Sequence, residues 1–197
     1  SGPSGLSFAV LIVLWGRAVS TTRERVMRVQ ELGELRGEIT IFGGPYSNVQ
    51  ALDAMLACAS GTLICTGDLV AYCGAPNAVI SRVQASGMCV VAGNCEKQLA
   101  ASALDCGCGF EDGTTCDLLS AAWYAFANAQ VGSAARAWMG GLPDILTFTH
   151  HGRRIAVLHG GVTDVARFIW SVSQEAEFLE ELDALNMLCG DVDMVIA

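Results

Sequence analysis

Positive charge is scarce in this chain. Eleven Lys and Arg stand against twenty Asp and Glu, a net charge of −9 over 197 residues. That balance argues against a nucleic-acid surface and against a polybasic contact with lipid. It leaves an anionic substrate open, because a bound metal reverses the local field. A long apolar run is also missing: the stretch Leu6–Trp15 (LSFAVLIVLW) has ten residues, too few to span a bilayer. There is no G-x-x-x-x-G-K-[ST] and no G-x-S-x-G, so P-loop and serine-hydrolase chemistry have no support. Internal repeats, low-complexity tracts and domain-dividing linkers are absent too.

What is present suits one globular domain. Hydrophobic residues make up 52% of the chain, enough for a sizeable core. Nine cysteines are many, but an odd number without the density of a disulfide miniprotein reads as reduced thiols in a cytoplasmic protein. Residues 1–26 form an N-terminal extension of unclear role. Its apolar stretch has the length of a signal-peptide core, with Ala18-Val19-Ser20 as a passable cleavage site but no positive region before it. It also reads as an element packed on the domain, or as a segment foreign to it. The domain proper is assigned to residues 27–197, since organised periodicity begins just after Met27.

Segment types alternate along the domain. Glu38–Phe42 (EITIF), Thr62–Thr66 (TLICT) and Met88–Ala92 (MCVVA) are short apolar runs, each followed by Gly, and read as buried parallel strands. Between them, 48–59 and 76–86 have helical spacing, with Asn48 as N-cap and Pro76 in a first turn. The βαβαβ pattern implies an α/β fold with right-handed crossovers and a doubly wound sheet. Residues 98–142 read as mostly helical around a Cys/Gly-rich loop, 105–116. Asp144–Gly160 reads as a hairpin turning near His151, and Ser173–Leu185 as an acidic amphipathic helix. Asp193–Ala197 (DMVIA) begins one more strand, on which the sequence looks unfinished.

The turns that follow these strands carry the chemistry. Gly67-Asp68, Gly93-Asn94 and His159-Gly160 each follow a strand, and open α/β sheets bind ligands beyond the carboxyl ends of their strands. A carboxylate, an amide oxygen and an imidazole converging there make a shell for Mn, Fe or Zn. Taken singly, each has a plain structural reading as turn cap, turn residue or core histidine. The turn after the first strand, Gly43–Asn48 (GGPYSN), is the odd one: it holds no acid, histidine or lysine.

Together these motifs resemble the calcineurin-like metallophosphoesterases, and within them the small bacterial phosphodiesterase branch. That family runs strand-Asp-x-His-Gly-Asn, Gly-Asp-x-Val, Gly-Asn-His-Asp/Glu, His-Gly and finally Gly-His-x-His. Here Gly67–Val70 (GDLV) matches the second motif, Gly93–Glu96 (GNCE) the third and Leu158–Gly161 (LHGG) the fourth, in order, over about residues 38–197. The resemblance implies an αββα sandwich whose last strands are missing from this chain, with Gly-His expected soon after Ala197.

It also gives the blank turn a meaning. Gly44 stands where the family's first aspartate belongs and Tyr46 where its histidine belongs, while Asn48 is kept. Both lost residues serve the family's first metal. Asp68, matching the shared aspartate, with Asn94 and His159 matching ligands of the second metal, remain. The resemblance therefore implies one divalent ion per chain, held by Asp68, Asn94 and His159. Cys95 replaces the histidine that matches the family's acid/base, and a thiol is the poorer proton donor. Asn94 and Glu96 are expected to carry catalysis. Asn48, Tyr46 and Cys95 are expected to touch substrate or support the ligands.

The leading expectation is a metal-dependent phosphoesterase, a phosphodiesterase or phosphatase, acting on a phosphorylated small molecule or phosphodiester at this reduced site. Its rival is a non-catalytic module of the same fold that binds a protein partner or phosphorylated ligand. A third reading is a redox or metal-handling protein built on its cysteines. Cys106, Cys108 and Cys116 offer thiolates at C-x-C-x7-C spacing, a weak candidate for structural zinc against a reading as free thiols. Thr149–Arg154 (THHGRR) reads as a solvated hairpin tip. Glu175, Glu177, Glu180 and Glu181 read as a solvated helix face.

Overall fold

The computed structural model describes residues 27–111 and 113–197; the extension 1–26, with its signal-peptide and packed-element readings, lies outside the described residues. The first strand, β1 (Val29–Glu34), was not among those expected. The next elements are β2 (Ile39–Phe42), α1 (Val49–Cys58), β3 (Thr62–Cys65), α2 (Pro76–Ser86) and β4 (Cys89–Val90), close to the expected bounds. Asn48 caps α1, its side-chain oxygen accepting from the Ala51 amide at 3.0 Å. Pro76 opens α2, where its missing N–H is no loss. Then come α3 (Asn94–Ala101), α4 (Thr115–Gln130) and α5 (Ser133–Met139). The hairpin is β5 (Ile145–His150) and β6 (Arg153–Val157), followed by α6 (Glu175–Cys189) and β7 (Met194–Ile196).

The strands form two sheets rather than one doubly wound sheet. β2, β3 and β4 are parallel, in that order. The second sheet runs β1-β5-β6-β7, with β5 and β6 antiparallel and the outer pairs parallel. The hairpin lies in the second sheet, and both its faces are apolar and covered. Period-2 alternation shows how they are covered. Ile39, Ile41, Ile64 and Cys89 of the first sheet meet Leu146, Phe148, Ile155, Val157 and Ile196 of the second. Phe42, Cys65 and Val90 point the other way, under α1 to α5. Ile145 and Ala156 point away from the inner layer and pack with Leu158 and Leu185 of α6. The result is an αββα sandwich. Among the described residues no helix is long and apolar enough to cross a membrane.

Phe148 is fully buried between the sheets. Phe148→Ala should therefore lower stability by about 3–5 kcal/mol. Leu118→Ala, at a position 64% exposed on α4, should change it by less than about 0.5 kcal/mol. Urea unfolding of both variants measures the contrast.

Candidate metal centre

The carboxyl ends of β3, β4 and β6 meet at one point. Beyond β3 the chain turns through Gly67, at φ +104°, where a side chain would run into the Gly93 amide at 2.7 Å. Asp68 follows in the left-handed region at φ +53°, unusual for a residue with a side chain. Beyond β4, Asn94 begins α3 directly, so Asn94, Cys95 and Glu96 form the helix's first turn. The Glu96 carboxylate joins the two turns. It accepts from the amides of Asp68 at 2.8 Å, Leu69 at 2.9 Å and Gly93 at 3.0 Å.

Beyond β6, His159 reaches across from the second sheet. Its Nδ1 lies 2.7 Å from the Thr66 carbonyl, which can only accept, so Nδ1 carries the proton. That leaves Nε2 as the ring atom turned to the site. It faces Asn94 Oδ1 at 3.1 Å and Asp68 Oδ1 at 3.5 Å. The Asn94 amide is oriented by its other end, where Nδ2 donates to the Cys106 carbonyl at 2.9 Å. Asp68 Oδ1, Asn94 Oδ1 and His159 Nε2 thus converge, with the Cys95 amide donating to Asp68 Oδ1 from outside the group. A second proton on His159 or a metal ion would satisfy them. Tetrahedral ligands at zinc distances sit about 3.3 Å apart, which matches both separations. The donor set therefore fits a divalent cation. Beside it lies a cavity of about 250 Å³, lined among others by Gly44, Tyr46, Tyr72, Cys108, Phe168 and Arg167.

Asp68, Asn94 and His159 are thus brought together as the sequence suggested. Tyr46 joins the cavity wall, its ring centroid 5.2 Å from that of Tyr72. Other expectations need correction. Glu96 is fully buried beneath the turns, its two oxygens taken by amides, and does not reach the cavity as an acid/base. Burial foremost, then the charge of Asp68, pushes its carboxyl up to about 7 against the pull of those amides. Asn48 gives its side-chain oxygen to the cap of α1 and is not among the residues lining the cavity. Cys95 is buried, with its thiol held well above the usual range by burial and by Asp68. Its thiol lies against both ligand residues, accepting from Asn94 Nδ2 at 3.6 Å and hydrogen-bonded to Asp68, and its amide donates to Asp68 at 3.4 Å, so it touches the ligand residues rather than the cavity.

The cysteines divide differently from the expected set of nine thiols. Cys106 and Cys108 form a disulfide, while seven others, the exposed Cys116 among them, are free. The zinc triad of Cys106, Cys108 and Cys116 is not assembled: among the described residues no three His, Cys, Asp or Glu side chains group to hold an ion. His150 and His151 sit at the hairpin end, away from the cavity.

Two residues escaped the sequence reading. Arg167 lines the cavity and pairs with Glu180 at 2.7 Å, Glu181 at 2.8 Å and Glu177 at 3.6 Å. Glu181 is buried rather than solvated. It accepts from the Val162 and Thr163 amides, the Thr163 hydroxyl and Arg167. These contacts dock the loop after His159 on α6. No local motif announces them, because the partners lie 14 to 19 residues apart.

No family model and no curated protein matches the sequence. Solved structures do match. A metallophosphoesterase from Sphaerobacter thermophilus is 18% identical, with a TM-score of 0.52, over 80% of this chain and 58% of that one. The chain has the metallophosphoesterase fold. Hypothetical protein PH1004 from Pyrococcus horikoshii OT3 is 15% identical, with a TM-score of 0.59, over 80% of this chain and 67% of its own. A candidate diadenosine tetraphosphatase is 19% identical, with a TM-score of 0.50, over 68% of this chain and 55% of its own. This chain thus spans between about half and two-thirds of the proteins it resembles.

Within this metallophosphoesterase fold the blank turn is packed shut. The Tyr46 and Ser47 amides donate to the Asp68 and Leu69 carbonyls at 3.3 and 2.8 Å. A Cβ on Gly44 would lie 2.3 Å from the Asp68 carbonyl oxygen and 2.6 Å from that of Gly67. An aspartate at 44 has no room unless the Asp68 turn moves. Gly44→Ala should cost about 1–3 kcal/mol. Gly43→Ala, where a Cβ meets nothing within 4 Å, should change stability by less than about 0.5 kcal/mol. Glu96→Ala should cost about 3 kcal/mol or more, since each buried amide left unpaired costs about 1–3 kcal/mol. Chemical unfolding of the three variants tests the set.

Proposed function

We propose that this chain is a phosphoesterase with a single-metal site, in which Asp68, Asn94 and His159 hold one divalent ion. The observation that carries the reading is the convergence of Asp68 Oδ1, Asn94 Oδ1 and His159 Nε2, at 3.5 and 3.1 Å, beside an open cavity. A divalent ion held there supplies Lewis acidity towards a phosphoryl oxygen and towards water. The chain's own residues do the rest. Thr66 fixes the His159 tautomer that presents Nε2, and the Cys106 carbonyl fixes the face of Asn94. Glu96 holds the Asp68 turn, and the Tyr46 phenol, kept neutral by burial and by Asp68, is a hydrogen-bond donor in the cavity wall. The substrate class is a phosphorylated small molecule or phosphodiester, and seven free cysteines suit the cytoplasm.

One observation favours the rival, a non-catalytic module of the same fold that binds a partner. The first-metal turn is closed by the Asp68 peptide, and the family's acid/base position holds the buried Cys95. Both readings are separated by one titration. Calorimetry with Mn²⁺ or Zn²⁺ should give one ion per chain, and Asp68→Ala should abolish it, since Asp68 is the carboxylate of the set. Hydrolysis of bis(p-nitrophenyl) phosphate should be slow, metal-dependent and lost in His159→Ala but kept in His151→Ala. Folded protein that binds no ion would transfer the site to the rival.

A further inference from the structure

We propose that Cys108, once released from Cys106, is a ligand of the same ion, so that the redox state of the Cys106–Cys108 pair sets the metal centre. This rests on the reading of Asp68, Asn94 and His159 as a metal shell. That shell is thin, since it offers one carboxylate, one imidazole and one neutral amide. Its neighbourhood holds one further soft donor. Cys108 lines the same cavity, and no other cysteine does. The Asn94 amide, in a residue only 7% exposed, lies between the two groups. Its Oδ1 is 3.1 Å from His159 Nε2 and its Nδ2 is 3.6 Å from Cys108 Sγ.

The disulfide withholds this donor. A sulfur bonded to Cys106 carries no negative charge, and in that state no third His, Cys, Asp or Glu joins Asp68 and His159 among the described residues. Two molecules of a small thiol reductant supply the missing electrons. The Cys106–Cys108 bond takes two electrons and two protons, giving two thiols, and the reductant leaves as its own disulfide. The Cys108 thiol then gives its proton to water as the sulfur meets the cation. Cys106 is 4% exposed and is not among the residues lining the cavity, so the two thiols are not equivalent. A thiolate beside imidazole and carboxylate favours zinc or iron over magnesium or calcium.

Cobalt(II) is the probe, because a thiolate ligand gives it a near-ultraviolet sulfur-to-metal charge-transfer band. Reduced wild-type protein should show the band at one equivalent and bind cobalt at least about tenfold more tightly than the oxidised protein. Cys106→Ser should show the band with or without reductant, and Cys108→Ser should show it in neither condition while still binding cobalt weakly. A reduced protein that binds one cobalt without the band, or a Cys108→Ser variant that keeps it, overturns the proposal and leaves the three-residue shell standing. Cobalt binding that is unchanged by Asp68→Ala overturns the shell itself.

Discussion

The buried carboxylate of Glu96 is the contact on which this site depends. Three amides point at it, from Asp68, Leu69 and Gly93. The geometry has a conflict built in. A fully buried carboxylate next to Asp68 is pushed towards its neutral form, yet its ionised form is what three donors and a helix N-terminus favour. The balance keeps the acid out of the cavity and in the framework. It also holds Asp68 at φ +53°, a conformation the residue would not keep on its own. Catalytic-looking chemistry in the sequence thus becomes support for the residue beside it.

How much of this was legible follows from what the sequence encodes locally. The strands of the first sheet are apolar runs ended by glycine, and a parallel sheet collects their following turns at one edge. Asp68 and Asn94 could therefore be placed together without any contact being known, whereas His159 comes to the same point from the second sheet. β1 could not be read in the same way. It has two large apolar residues, it is mostly exposed, and its pairing with β5 slips between Glu31 and Glu34, which breaks the alternation. In the sequence Glu181 looks like any surface acid in a helical segment, and Glu96 like a catalytic one. What separates them from Glu175 or Glu180 is the set of amides that the fold brings to them from elsewhere in the chain. Cys-x-Cys spacing is likewise silent between thiol, ligand and disulfide.

The closed first turn buttresses the Asp68 turn from the other side. Gly44 is pressed on the Asp68 peptide, and the turn's amides pair with the Asp68 and Leu69 carbonyls. Beside this turn stands a row of aromatic rings. Tyr46, Tyr72, Trp123 and Tyr124 run in a chain with centroids 5.2, 5.3 and 5.8 Å apart. Tyr46 and Tyr72 of this row line the cavity beside Asp68 and bring it no charge.

Charge then sets an order of events. Arg167 is the cationic side chain among the residues lining the cavity, and three glutamates hold it at 2.7 to 3.6 Å. Its charge is answered before any ligand arrives. The three acceptors at Asp68, Asn94 and His159 are left as the negative pole of a chain that already carries −9. A phosphate meeting that pole is repelled, and a divalent cation is drawn to it. Once a cation sits there the local sign reverses, and the same cavity attracts the anion it had excluded. On the proposed single-metal reading, cation first and phosphate second is the order that these charges permit.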